Sequence, residues 1–358
     1  TYVVGTILEA GIERVLRRCL DAGDMAGLGF PEKFSIAEKL EEFSGVLDST
    51  RKALPALAEL TELEAATYAA GRFSTYFAVG GLVTVFIDST ERSPTFRLFP
   101  LDTVKEPRRK CWIQVRTAAG NGREAWLSFL GRPFRGLESS FYKGRFENLI
   151  DDFYLRLAAL DSLTRAGDDQ QDLYDFASPE PDTTGRGPAA GDLGVVVMIG
   201  PEERSIEDPG SYFRKFMDGV NAAGASLAVM LISDNTESAE RAGAAVRRLY
   251  AGKKTGVVFI PVIVDASEDP FGIKARLAAK MLLNAHSTAV FAKLGRVVGN
   301  TMTNVSPSNL KLVGRATYLI QSHVNDVLGR KAWANKYGRR EPITYAEANA
   351  VLYDSITW

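Results

Sequence analysis

Residues 273–315 read IKARLAAKMLLNAHSTAVFAKLGRVVGNTMTNVSPSNLKLVGR, and the spacing of their apolar side chains sets the fold expected of the whole chain. Ala279, Leu282, Leu283, Val290 and Leu294 recur at helical intervals, the stripe of a long helix with one buried face. Gly295 is placed to stop it. Beyond it, the turn formers Gly299-Asn300-Thr301-Met302 and Ser306-Pro307-Ser308-Asn309 bracket a short, mostly uncharged segment. The pattern predicts a helix, a turn and a second, capped helix.

Working back from that helix, residues 195–199, 227–232 and 257–264 are apolar nearly throughout, as strands covered on both faces should be. Shorter strands are predicted at 72–78 and 111–115, and helices at 212–223 and 237–250. Alternating β and α elements predict an α/β fold with a doubly wound, mainly parallel sheet, a flavodoxin-like three-layer sandwich. Helical extensions are expected at both ends. Residues 2–20 form an amphipathic pattern with Val4, Ile7, Leu8, Ile12, Val15 and Leu16 on one face, which reads as a packing helix. Residues 21–34 read as a loop. Residues 35–71 are mostly helical, with a break near Pro55 and a capping-box spacing at Thr61 and Glu64. Between 126 and 192 lies an aromatic-rich helical piece followed by a polar tract, 167–191, expected as an exposed loop. Helices at 315–328 and 344–355 close the chain, the latter with Thr344 and Glu347 at capping-box spacing. The expected organisation is a helical arm (1–60), an α/β domain (61–315) and a C-terminal helical extension (316–358).

A chain of 358 residues with a formal net charge of −1 gives no reason to expect nucleic acid or an anionic membrane as a partner. Cys19 and Cys111 lie far apart without metal-ligand spacing, which favours free thiols in a reducing compartment. The cytoplasm is the expected location. The longest apolar run, 77–87, is too short to span a bilayer, and no basic-then-apolar leader opens the sequence. The absence of Met at position 1 suggests a processed or excised chain. No cofactor or metal is expected.

The order KM-LLN-STA-LG-V-GN-M-V-PSN-KL within 273–315 resembles the C-terminal signature of sugar isomerase (SIS) domains, in the group that holds N-acetylmuramic acid 6-phosphate etherase and glucokinase regulatory protein. Glu91-Arg92-Ser93-Pro94-Thr95-Phe96 resembles the E-C-P-P-T-F/Y segment of the same group, at the right distance from the Gly80-Gly81 turn. The resemblance implies three Ser/Thr-rich phosphate loops at strand ends. Here they fall on Val79-Gly80-Gly81, on Gly200-Pro201-Glu202-Glu203-Arg204-Ser205 and near Ser267-Glu268-Asp269-Pro270. The first retains backbone donors only, and the other two are acidic. Carboxylates there would repel a phosphate, with Arg204 offsetting part of the charge.

The resemblance places one catalytic carboxylate at Glu91 and implies a second in an E-G-A-E-D segment, for which this chain has no match. Glu91, Lys280, Gly80, Gly81, Arg204 and Ser205 are the candidate ligand-binding residues; Glu91 is the candidate catalytic group if the chain is an enzyme. His286 reads as a packed or hydrogen-bonded core histidine. Degenerate loops beside a retained Glu and Lys look most like the second SIS domain of glucokinase regulatory protein. That likeness implies a non-catalytic sugar-phosphate-sensing module, working with another SIS domain upstream or in a second subunit, and with a regulated enzyme as a further partner. The alternatives are a sugar-phosphate lyase or isomerase of the etherase type and a protein-interaction scaffold. A weak likeness between Thr6-Ile7-Leu8-Glu9-Ala10-Gly11 and Met281-Leu282-Leu283-Asn284-Ala285-His286 suggests a repeated closing helix.

Overall fold

The computed structural model describes residues 2–179, 185–250, 256–299, 301–305, 307 and 310–357. In chain order, the first part holds α1 (Tyr2–Leu16), α2 (Ala22–Gly27), α3 (Ile36–Glu41), α4 (Phe43–Ala69), β1 (Ser74–Ala78), α5 (Leu82–Phe96) and β2 (Ile113–Arg116). Then follow α6 (Gly122–Leu130), α7 (Ser139–Leu149), α8 (Phe153–Leu163), α9 (Gln170–Leu173), β3 (Leu193–Ile199) and a 3-10 turn (Gly200–Ile206). The last part runs through α10 (Tyr212–Ala222), β4 (Ser226–Ser233), α11 (Thr236–Tyr250), β5 (Val257–Ile263) and α12 (Ile273–Lys293). It ends with β6 (Val297–Val298), β7 (Thr301–Met302), α13 (Leu310–Leu328), α14 (Lys331–Tyr337) and α15 (Tyr345–Thr357).

β1 to β5 form one parallel sheet in the order β2-β1-β3-β4-β5, the doubly wound arrangement expected from the sequence. Alternate side chains of each strand supply two cores. On one face Tyr76, Val195, Val197, Ala228, Met230 and Ile260 pack with Leu57 and Leu60 of α4, Leu82 of α5 and Leu282 of α12. On the other, Phe77, Val196, Met198, Val229 and Leu231 pack with Met217 and Val220 of α10 and Val246 of α11. Burial on both faces explains why β3 and β4 read as unbroken apolar runs, whereas β5, at the sheet edge, buries one face and leaves Pro261 on the other exposed. Gly194 lets α10 approach, since a Cβ there would lie 2.3 Å from a Val220 methyl.

The chain divides into two compact units, Thr1–Ser89 with Leu101–His286 and Thr90–Pro100 with Ser287–Trp358. In the second, Phe96 stacks on Phe291 with ring centroids 4.1 Å apart, and an Arg296 Nη1 donates to the Phe96 carbonyl at 2.7 Å. Thr344 and Glu347 form the expected capping box of α15. The Glu347 carboxylate accepts from Thr344 N (2.7 Å), and Thr344 Oγ1 accepts from Glu347 N (3.2 Å).

Several local expectations differ from the structure. α4 runs unbroken through Pro55, because Pro55 lies on the exposed face, where water can satisfy the carbonyl it leaves without an N–H partner. Thr61 and Glu64 do not start a helix; both sit inside α4, where tertiary partners take their side chains. Residues 21–34 contain α2, capped by Asp21, whose Oδ1 accepts from Asp24 N. The segment after Gly295 is a short antiparallel hairpin, β6 with β7, before α13. Asn300, Ser306, Ser308 and Asn309 lie outside the described residues. The polar tract is not wholly exposed, since Phe176 and Ala177 are buried, with the Phe176 carbonyl accepting from Thr117 N. Most notably, the apolar stripe of α1 faces outward, and its buried residues are Tyr2, Thr6 and Glu9. No described helix is long and apolar enough to cross a membrane.

Candidate functional site

In an open parallel sheet, ligands bind beyond the carboxyl ends of the strands where the strand order reverses. Here that point lies between β1, which leads through α5 to β2, and β3, which leads the other way to β4. Two turns meet there: Val79-Gly80-Gly81 after β1 and the 3-10 turn after β3. Gly81 has little room for a side chain, since its Cβ would lie 3.3 Å from Ile199 Cδ1. Gly200 takes a positive φ of 60°, which turns the chain sharply out of β3.

The carboxylate of Glu202 closes this crevice. Its Oε1 accepts from Gly80 N and its Oε2 from Ile199 N, each at 2.7 Å, so one anion bridges the ends of both strands. A Cβ on Gly80 would stand 3.0 Å from Oε1, so glycine leaves the N–H open to an acceptor. Burial pushes the Glu202 carboxyl up from its usual range. The N–H bonds from Ile199 and Gly80 and the charge of Arg276 pull it down, and Glu203 adds a smaller upward push. Glu203 also buries Oε2 without a hydrogen-bond partner.

In the second loop Glu202 thus takes the backbone donors for itself. The positive charge acting on it belongs to Arg276. Arg204 is exposed and lines a cleft of about 170 Å³ with Glu203, Glu207 and Arg241. Ser205 follows in the same turn, with its carbonyl accepting from Ser211 Oγ at 2.6 Å. Spacing carried a signal for Glu202, because a Glu three residues after a strand-ending residue can reach back to that residue's N–H as the return half of a capping box.

The third loop is likewise held by its own acids and by two buried lysines. Asp269 accepts from Ile273 N and Lys274 N, both at 2.8 Å, and so caps α12. Lys274 Nζ donates to the Ser267 carbonyl at 2.8 Å and pairs with Glu42 at 2.8 Å, while Lys39 Nζ donates to the Glu268 carbonyl. Lys280, half-buried on α12, pairs with buried Asp88 of α5 at 3.5 Å. Glu91 stands one turn after Asp88 on α5 and is exposed. The structure thus brings Gly80 and Gly81 together with Glu202 and joins Lys280 to Asp88, a residue that no motif in the sequence singled out.

His286 is fully buried beneath this layer. Its Nδ1 meets Thr61 Oγ1 at 3.0 Å, and because that hydroxyl donates to the Leu57 carbonyl, Nδ1 is the donor. Its Nε2 contacts Glu64 Oε2, and the Glu64 carboxylate also accepts from the Tyr68 and Tyr76 hydroxyls. His286 is therefore a hydrogen-bonded core histidine, as its position in the helix suggested. Among the described residues, no group of three or more His, Cys, Asp or Glu side chains is placed to hold a metal ion.

No family model matches the chain. Parts of it are similar to N-acetylmuramic acid 6-phosphate etherases. The similarity to that of Cutibacterium acnes is 32% identity over 130 residues, covering 34% of this chain and 41% of the relative. With the etherase of Clostridium acetobutylicum it is 47% over 80 residues (22% and 25%), and with that of Bacillus subtilis 51% over 53 residues (15% and 17%). The matches span less than half the length of these curated relatives, and within the group first suggested by the sequence they favour the etherase side.

Proposed function

We propose that this chain is an SIS-type protein acting on a sugar phosphate, of the kind represented by the N-acetylmuramic acid 6-phosphate etherases it resembles in part. One observation carries the chemistry. The N–H groups of Gly80 and Ile199 converge on a single anion at the point where the sheet order reverses. A ligand's phosphate oxygens offer the same acceptors to the same donors. In the etherase form of this reading, Glu91 supplies the carboxylate for proton transfer at the ether bond, and Lys280 supplies a positive charge toward the anionic ligand.

The carboxylate of Glu202 favours a second reading, because it already fills the cradle. In that form the chain senses a sugar phosphate without turnover and shares its pocket with another SIS-type unit, in a protein that controls a partner enzyme. Offering N-acetylmuramic acid 6-phosphate to the purified chain separates the two. The etherase reading expects ether cleavage that Glu91→Gln lowers by about 10²–10⁴-fold, the usual contribution of a general acid or base. The sensing reading expects calorimetric binding without cleavage. If neither wild type nor Glu202→Ser binds or cleaves it, and neither binds a panel of hexose phosphates, both readings fall.

A further inference from the structure

α1 is amphipathic, yet its apolar side is the one turned to solvent. Val3, Val4, Ile7, Leu8, Ile12 and Val15 are each between 42% and 62% exposed. Together they offer on the order of 600 Å² of apolar residue surface, at the upper end of what soluble monomers leave in one patch. Polar anchors hold the helix in this orientation. Buried Glu9 pairs with Lys39 at 3.3 Å, and the Tyr2 hydroxyl donates to the Lys39 carbonyl at 2.7 Å. Turning the apolar stripe inward would break both of these.

The same stripe appears a second time in the chain, where its use is visible. Aligning Thr6 with Met281 pairs Val3 with Ala278, Val4 with Ala279, Ile7 with Leu282, Leu8 with Leu283 and Val15 with Val290. Each of these α12 residues is at most 1% exposed, and the first four lie in the core cluster under the parallel sheet. The opposite sides correspond in part, since buried Glu9 aligns with exposed Asn284, while within the stripe Ile12 aligns with buried Ser287. In α12 the stripe faces a sheet; in α1 the matching stripe faces solvent.

We propose that the exposed face of α1 is a sheet-covering face, and that its occupant is the parallel sheet of another α/β unit of this same fold. α1 would add to that unit the helix that α12 adds here. The geometry distinguishes this occupant from a helix. Adjacent pairs Val3-Val4 and Ile7-Leu8 make a wide face suited to a sheet, whereas a coiled-coil seam is a narrow a/d stripe. The patch also approaches the roughly 800 Å² that each partner contributes to a standard stable interface.

A photo-crosslinking amino acid placed at Leu8 of the full chain, expressed in its cell of origin, tests this when the crosslinked peptide is sequenced. The expected attachment is to core-facing strand residues of an α/β unit of this fold, in the same polypeptide or in another. Attachment to α1 of a second copy, attachment to lipid, or no crosslink would overturn the proposal. The purified chain gives an independent check. Leu8→Asp is expected to shift its Tm by less than about 2 °C, as for an exposed position, while Leu283→Asp is expected to abolish cooperative unfolding. Equal damage from both substitutions would show that the α1 face is already covered within this chain and would end the inference.

Discussion

Replacing Glu202 by Ser should uncover the anion cradle between β1 and β3. A hydrogen bond to a charged acceptor contributes about 1.5–3 kcal/mol, and Glu202 accepts two, at 2.7 Å each. Burial of the carboxylate opposes this and is the larger influence on its pKa, which lies above the ordinary range. Each ~1.4 kcal/mol by which the closed carboxylate is still favoured weakens an incoming anion's binding about tenfold relative to an open site. Glu202→Ser removes the competitor and should recover that factor. Calorimetric titration with inorganic sulfate measures it directly, because sulfate keeps its charge across the useful pH range. The fold should tolerate the change, since Gly80 is exposed and water can reach its N–H.

The same reasoning gives a pH dependence with a definite sign. Glu202 has a folded pKa above its ordinary value of 4.5, so the native state binds the proton more readily than the unfolded chain. Its contribution to stability is fully present below 4.5 and is lost as pH rises through the raised folded value. Sulfate binding to wild type should therefore strengthen as pH falls through that value and Glu202 becomes neutral, whereas Glu202→Ser should show neither the binding slope nor this share of the stability slope. Equal sulfate affinities within twofold at neutral pH, or identical pH profiles, would refute the competition.

Other expectations concern the scaffold beneath the site. His286→Leu removes the imidazole that meets the buried Glu64 side chain and should cost about 1–3 kcal/mol in urea unfolding, as for a buried polar group that loses a hydrogen-bond partner. Gly194→Ala places a methyl 2.3 Å from Val220 and should cost about 1–3 kcal/mol, a loss that Val220→Ala on the same chain should partly relieve. Asp269→Ala removes the acceptor for two N–H groups at the start of α12 and should cost about 1 kcal/mol, with faster amide exchange at Ile273 and Lys274.

The sheet was legible because of its burial. β3 and β4 are covered on both faces and β5 on one with the other partly covered, so their sequences are apolar runs whose expected limits fall within two residues of the observed ones. Periodicity was less informative wherever direction mattered. It correctly grouped Val4, Ile7, Leu8 and Val15 on one face of α1, yet a helical wheel carries no information on whether that face meets a core or solvent. Thr61 and Glu64 show the related limit for short motifs. Their spacing matches a capping box, but Tyr76 and His286 lie 12 and 222 residues from Glu64, and these distant partners decide its role.

Carboxylates were the hardest residues to read, for a physical reason that also bears on function. Asp192, Glu202 and Asp269 all lie in turns at strand or helix ends, and each accepts hydrogen bonds from two or more backbone N–H groups. A bound phosphate in such a turn would accept from the same kind of donors. An acidic loop is therefore compatible with a preserved anion cradle, provided that the chain supplies its own anion. At Asp192, before β3, the donors are Phe73 N and Ala189 N, and Arg109 completes the pairing at 2.9 Å, so the side chain is locked in a structural role. At Glu202 both backbone donors sit at the reversal of the sheet, the carboxyl is held above its ordinary pKa, and one donor, Gly80, lies at an exposed position. Of the three, Glu202 is the one whose surroundings differ in this way, and that difference, invisible in the residue type, makes the turn after β3 the place where the sulfate titration tests the proposed function.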